Sequence, residues 1–137
     1  MLKEIRKIIT WFEEHYIVSW IITILLAISI FYISSQSFEK GVPGPDWPIK
    51  SYIYHAGIFF LFSFFFLISI IKGNIKKKHL FAIAILMAIA YGIADELHQL
   101  FVPNRDCTIE DALTDSIGIL FAGIIYVVSF WWKKSKD

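Results

Sequence analysis

Four apolar runs, each about as long as a helix that crosses a bilayer, constrain this chain most strongly. The hydrocarbon core of a membrane is roughly 30 Å thick, and an α-helix crosses it in about 20 residues. The runs lie at about residues 17–36, 52–71, 80–99 and 112–132. Polar stretches with helix breakers such as Pro43 and Pro103 separate them. Because unpaired strands cannot lie in lipid, the sequence predicts four transmembrane helices.

The composition agrees with a membrane location. Hydrophobic residues make up 57% of the 137 residues and aromatic residues 18%, more than a soluble domain of this size could bury. We therefore expect an all-α integral membrane protein, with residues 1–137 forming one domain built as a small helical bundle. The formal net charge of +1 gives no reason to expect a nucleic-acid partner. Cys107 is the single cysteine, which excludes an internal disulfide and a cysteine-based metal site.

The segment before the first run has the pattern of an amphipathic helix. Its apolar residues recur at helical spacing, and charged residues lie between them. The apolar set is Leu2, Ile5, Ile8, Ile9, Phe12 and Tyr16. Such a helix lies in the membrane interface, and the alternative is a frayed terminus.

The distribution of Lys and Arg predicts the orientation. The two terminal segments and the loop after the second run carry ten of these residues, whereas the other two loops carry only Lys40, Lys50 and Arg105. Cytoplasmic loops are enriched in Lys and Arg. We therefore expect a multi-pass protein of the plasma membrane with both termini in the cytoplasm.

In this topology the unusual polar residues of the spans lie at one depth, near the outer face. They come from the second, third and fourth spans: His55, Asp95, Glu96, His98, Gln99, Asp111 and Asp115. Charged groups at the lipid boundary are costly, so they indicate a functional site when they have partners. Arg105, in the loop between the third and fourth spans, is the obvious cationic partner.

Helical spacing predicts which of these side chains meet. Asp95, His98 and Gln99 are three or four residues apart, so we expect them to share a face. Glu96 and His98 are two residues apart and should point to nearly opposite sides.

Small residues follow the carboxylates towards the other end of the helices. Ala84 and Ala88 lie below Asp95 on its face, and Gly118 and Ala122 lie below Asp115. Small residues allow helices to approach closely in membranes. The two stripes should therefore face each other or share a third helix.

The outer residues also form a recognisable pattern. It consists of Asp95-Glu96-x-x-Gln99 at a helix end, Pro103-x-Arg105 in the loop, Asp111, Asp115 and Gly118 at the start of the last span, and His55 early in the second. This pattern resembles the signature of the VanZ-like family over essentially the whole chain. The resemblance implies a cell-envelope membrane protein associated with resistance to teicoplanin, a lipoglycopeptide that acts outside the membrane. It implies no particular reaction.

We interpret the outer residues as one candidate site. Carboxylates and a histidine can supply general acid–base chemistry, and an arginine can hold a phosphate. The candidate catalytic residues are His55, Asp95, Glu96, Arg105, Asp111 and Asp115. The candidate substrate contacts are Gln99, His98 and Arg105. The expected partners are the lipid bilayer and either a lipid-linked cell-wall precursor or a lipoglycopeptide.

Several alternatives stay open at this point. The protein could be an enzyme, a non-catalytic binding factor, or a proton-coupled transporter that would require oligomers. The polar residues could form a structural ion-pair network, with His55 as an ordinary interfacial residue. No cofactor is expected, because the sequence has no compact metal motif such as HExxH. A divalent cation would nonetheless suit a set drawn from His55, Asp95, Glu96, His98 and Asp115.

Overall fold

Five α-helices form the part of the chain that the computed structural model describes, residues 2–37, 48–74, 76–105 and 107–134. The helices are α1 (Leu2–Glu14), α2 (Tyr16–Ser34), α3 (Pro48–Ile71), α4 (Lys78–Gln99) and α5 (Ile109–Lys134). Helices α2 to α5 are each long and apolar enough to cross a membrane. The predicted all-α membrane fold is therefore confirmed, and its four spans agree with the sequence to within about four residues.

Helix α3 is the centre of the bundle. It contacts each of the other four helices, most extensively α5. Its buried residues include Phe59, Leu67 and Ile68, which are at most 1% exposed. Helix α2 lies at the edge, where large apolar side chains such as Leu25 and Ile28 stay more than half exposed. Exposed apolar surface of this extent suits contact with lipid.

The stripe of small residues on α5 faces α3. A Cβ atom added to Gly118 would collide with the carbonyl oxygen of Ala56, so the two helix backbones are in direct contact there. Ala84, Ala88 and Ala122 are also fully buried. The stripes of α4 and α5 were expected either to face each other or to share a third helix. Gly118 shows the second arrangement, because it packs on α3.

Helix α1 lies at the end of the bundle where α2 and α4 begin and α3 and α5 end, which we call the terminal end. Ile9 is buried against the bundle, whereas Ile5, Ile8 and Trp11 are exposed on the other side. The predicted amphipathic helix is thus present. Part of its apolar face packs on protein, and the exposed part is available to the membrane interface.

A buried polar network fastens α1 to the bundle. The guanidinium of Arg6 donates to the carboxylate of Glu13 at 2.8 Å, and the Tyr126 hydroxyl donates to the same carboxylate at 2.9 Å. The Tyr126 oxygen in turn accepts the backbone N–H of Gly73 at 3.2 Å. Gly73 has φ 71°, and a Cβ there would come within 3.0 Å of Glu13. The positive φ favours glycine at this turn, and any side chain there would also crowd the Glu13 carboxylate.

Candidate functional site

Helices α2 and α4 end, and α3 and α5 begin, at the opposite end of the bundle, which we call the cluster end. The last turns of α4 bury Asp95, Glu96 and Gln99 there. The Gln99 side-chain amide donates to Asp95 Oδ2 and to Glu96 Oε1, both at 3.2 Å. Spacings of three and four residues place Gln99 beside both carboxylates. One amide group therefore holds the two adjacent acids on the same side of the helix.

His55 of α3 and Asp115 of α5 form a buried pair. His55 Nδ1 donates to Asp115 Oδ1 at 2.9 Å, and Asp115 is 0% exposed. The close contact between Gly118 and Ala56 sets this pairing. His55 is next to Ala56 and Asp115 lies one turn before Gly118, so the contact brings the two side chains together. The pair therefore joins two residues of the predicted cluster through a direct hydrogen bond.

Helix α4 approaches this pair at Gly92. A Cβ there would lie 3.4 Å from Asp115 Cβ and 3.6 Å from Asp115 Oδ2. The Oδ2 atom has no hydrogen-bond partner among the described residues. Buried oxygens without partners are uncommon in native proteins, so this atom marks an unusual position.

The loop before α5 is tied to Glu96. Thr108 precedes the first residue of α5, and its Oγ1 accepts the backbone N–H of Asp111 at 3.0 Å, as an N-cap residue does. The backbone N–H of Thr108 donates to Glu96 Oε2 at 3.3 Å. The N-terminus of α5 is therefore held against the last turn of α4.

Two cavities open among these residues. The larger is about 240 Å³, and its lining is mostly polar. Its lining residues are Ser51, His55, Gln99, Asn104, Arg105, Thr108 and Asp111. The smaller is about 10 Å³, room for roughly one water molecule. His55, Gln99 and Arg105 line both cavities, so the two cavities adjoin, and Asp95 lines the smaller one.

His98 points elsewhere. Its Nε2 lies 3.0 Å from Ser35 Oγ of α2, and its ring packs 4.7 Å from the centroid of Phe31. The expected common face therefore holds for Asp95 and Gln99 but not for His98, which lines neither cavity. Glu96 points to the opposite side from His98, as expected. A role for His98 in binding a substrate stays a prediction.

Groups that can be negatively charged outnumber those that can be positively charged in the cluster. It holds four carboxylates and two groups that can carry a positive charge. These are Asp95, Glu96, Asp111 and Asp115, with Arg105 and His55. Low-dielectric surroundings make unbalanced charge costly. Such a site suits proton transfer, a phosphate held by Arg105, or a cation held by the carboxylates.

Three side chains converge closely enough to be considered as metal ligands. His55, Glu96 and Asp115 each offer one ligand atom, and these atoms lie within 4.8 Å of one another. Asp95 and His98, which the sequence also offers as possible ligands, are not among the three. His98 is turned towards Ser35 of α2.

Three further residues line the larger cavity without having been predicted from the sequence, namely Ser51, Asn104 and Thr108. Thr108 could have been found, because Thr followed three residues later by an acidic residue, before an apolar run, is a helix-start signal. Ser51 and Asn104 carry no such signal. They line the cavity only because α3 begins beside the α4–α5 loop.

Comparison with known proteins agrees with this architecture. A family model described as VanZ/LLP1 matches residues 15–131, which include the four spans and every residue of the cluster. No curated protein and no solved structure matches the chain. The match extends over far more than half of the sequence, and the chain therefore belongs to the VanZ/LLP1 family.

Proposed function

We propose that this protein binds the phosphate-bearing headgroup of a lipid-linked cell-envelope component at the cluster end, on the outer side of the plasma membrane. The observation that carries the proposal is the 240 Å³ polar cavity, which three helices and a loop form where the apolar spans end. Binding there would alter the exposure or the state of an envelope target, and so would raise tolerance to glycopeptides such as teicoplanin.

The surroundings of the cavity favour an amphiphile over a free solute. Leu100, Phe101 and Ile109, in or next to the α4–α5 loop, are 60%, 85% and 77% exposed. Large apolar side chains at the end of a span suit the boundary between headgroups and acyl chains. A lipid whose chain lies in the bilayer could therefore present its headgroup to the cavity without leaving the membrane.

The chemistry of the lining favours a phosphate group. An arginine guanidinium binds phosphate through a planar pair of donors, and Arg105 lines both cavities. The larger cavity corresponds to roughly eight water molecules at about 30 Å³ each. That volume accommodates a phosphate or a diphosphate, whereas an oligosaccharide would have to extend outside.

A catalytic role is the second candidate, and the His55–Asp115 pair favours it. A buried carboxylate that accepts a hydrogen bond from one imidazole nitrogen fixes the ring orientation. His55 also lines the larger cavity, so its ring could exchange a proton with a bound headgroup. In this form the protein would modify the lipid-linked component as well as bind it.

A binding measurement tests the proposal. The purified protein in nanodiscs should bind a short-chain polyprenyl phosphate at least tenfold more tightly than the uncharged polyprenol of the same length. Arg105→Ala should weaken phosphate binding by about 10- to 100-fold, because a charge-assisted hydrogen bond contributes about 1.5–3 kcal/mol. Lys76→Ala, which removes an exposed cation at the terminal end, is the matched control and should bind like wild type.

Equal affinity for the two lipids, or unchanged binding by Arg105→Ala, would contradict the proposal. The same variants have a cellular readout. Expression of the wild-type protein in a susceptible host should raise teicoplanin tolerance. The Arg105→Ala variant should abolish this increase, although the variant should accumulate in the membrane to the same level as Lys76→Ala. Loss of tolerance and accumulation together would indicate a structural ion-pair network instead.

A further inference from the structure

We propose that His55, Glu96 and Asp115 bind one divalent transition-metal cation of the Mn²⁺ or Zn²⁺ class. The three residues come from α3, α4 and α5, so the site would join the three helices that meet at the cluster end. One ligand atom from each lies within 4.8 Å of the other two.

The spacing allows a single cation once the three side chains close up. Nitrogen and carboxylate ligands lie about 2.0–2.2 Å from such metals, so neighbouring ligands of a tetrahedral ion are about 3.4 Å apart. Ligand atoms that lie within 4.8 Å of one another would therefore approach by up to about 1.4 Å, which side-chain rotations can supply. One imidazole with two carboxylates favours Mn²⁺ or Zn²⁺, because all-oxygen sets are typical of Mg²⁺ and Ca²⁺.

The buried Asp115 carboxylate is an independent sign of a missing partner. Asp115 is 0% exposed, and its Oδ2 has no hydrogen-bond partner among the described residues. This oxygen faces α4, because a Cβ on Gly92 would lie 3.6 Å from it. A buried carboxylate oxygen left without a donor is costly, and a bound cation would remove that cost.

The neighbouring hydrogen bonds are those that metal ligands commonly have. Both carboxylate oxygens of Glu96 accept hydrogen bonds, one from the Gln99 side-chain amide and one from the Thr108 backbone. The hydrogen bond between His55 Nδ1 and Asp115 Oδ1 joins two of the proposed ligands, and a bound ion would take its place. Partners such as those of Glu96 orient a metal ligand. The donors here leave one lone pair on each Glu96 oxygen for a cation.

The charge of the cluster also favours a cation. Four carboxylates surround the site, and Arg105 and His55 are the positive groups that line the adjoining cavities. A divalent ion would offset two of the negative charges where three helices meet. The ion would also attract an anionic headgroup to the larger cavity. This attraction rests on the proposed function, whereas the metal site itself does not.

Metal binding is measured without any lipid. Protein stripped with a chelator is dialysed against Mn²⁺ or Zn²⁺, and bound metal is counted by mass spectrometry. We expect about one ion per chain and a higher melting temperature with metal. Glu96→Gln and Asp115→Asn should each weaken binding by at least tenfold. Glu110→Gln, which changes an exposed carboxylate on the first turn of α5, should bind like wild type.

Less than a tenth of an ion per wild-type chain, with no change in melting temperature, would overturn the site whether or not the variants fold. Equal weakening by Glu96→Gln and Glu110→Gln would also overturn it, because exposed acids would then account for the binding. Polyprenyl phosphate binding by the stripped protein is a separate readout. It tests the headgroup proposal independently of the metal.

Discussion

Asp115 lies where α3, α4 and α5 meet, and its carboxylate is completely buried. One oxygen is bonded to His55, and the other faces the position of Gly92. Removing one partner of a buried charged pair costs about 3–5 kcal/mol, because the other partner is left without compensation. The residue therefore contributes to the stability of the cluster end as well as to its chemistry.

Replacing His55 tests this dependence. His55→Ala should lower the free energy of unfolding by about 3 kcal/mol or more, because Asp115 loses its only described donor. His55→Asn, which keeps a side-chain N–H, should cost less. Melting in detergent, followed by circular dichroism, measures the effect.

The matched control for this measurement is His98→Ala. It removes a histidine that is half-buried and bonded to a serine hydroxyl, so it should cost about 1 kcal/mol. If His55→Ala were no more destabilising than His98→Ala, the buried pair would not have the stabilising role that its geometry indicates.

At the scale of the helices, the contact between α3 and α5 sets the geometry of the site. Gly118 lets the α5 backbone reach the carbonyl of Ala56, and this contact fixes the register that pairs His55 with Asp115. Gly57, one residue after Ala56, is exposed, and a Cβ there would meet nothing within 4 Å. A side chain is therefore excluded at Gly118 but can be accommodated at Gly57.

These two glycines give a matched pair of substitutions. Gly118→Ala should destabilise the protein by about 1–3 kcal/mol, because the backbones must separate, and Gly118→Leu should also reduce the folded yield in detergent. Gly57→Ala should stabilise it by up to about 1 kcal/mol through helix propensity. Thermal melting of the three variants measures the expected loss and gain of stability. An unchanged melting temperature for Gly118→Ala would show that the helices are not in direct contact.

The helices, and the end of the bundle at which the polar residues lie, could be predicted from the sequence, because apolar run length and helical spacing are local properties. The direction of His98 could not. His98 lies three residues after Asp95 and Gln99 lies four residues after it, so both lie on nearly the same face of α4 as Asp95. Only the position of α2 decides that His98 turns away to bond Ser35. The attachment of Glu13 to Tyr126 joins residues 113 apart. Such a pair depends on tertiary register.

For the whole molecule, the distribution of charge distinguishes the two ends. The terminal end carries most of the Lys and Arg residues, whereas the cluster end carries three of the four acids that are buried in the described part of the chain, Asp95, Glu96 and Asp115. The proposed function requires the cluster end to face outwards, as the positive-inside rule predicts. Cys107, in the loop at the cluster end, is a free and partly exposed thiol, so it reports this orientation directly.

The reactivity of Cys107 should depend on pH. Burial raises the pKa of the Cys107 thiol, and the nearby carboxylates of Glu96 and Asp111 raise this pKa further. The thiolate is the reactive form. A raised pKa lowers its fraction at neutral pH, so maleimide labelling should accelerate by about tenfold per pH unit up to that pKa. Labelling is therefore best performed at about pH 8.

Labelling of intact cells with a membrane-impermeant maleimide tests the central claim most directly. The control reporters carry Cys107→Ser with either Phe101→Cys, at an 85% exposed position of the same loop, or Asn74→Cys in the α3–α4 loop. We predict that Cys107 and the Phe101→Cys reporter react in intact cells, whereas the Asn74→Cys reporter reacts only after permeabilisation. Labelling of the Asn74→Cys reporter alone in intact cells would place the cluster end in the cytoplasm and contradict the proposed role at the outer face.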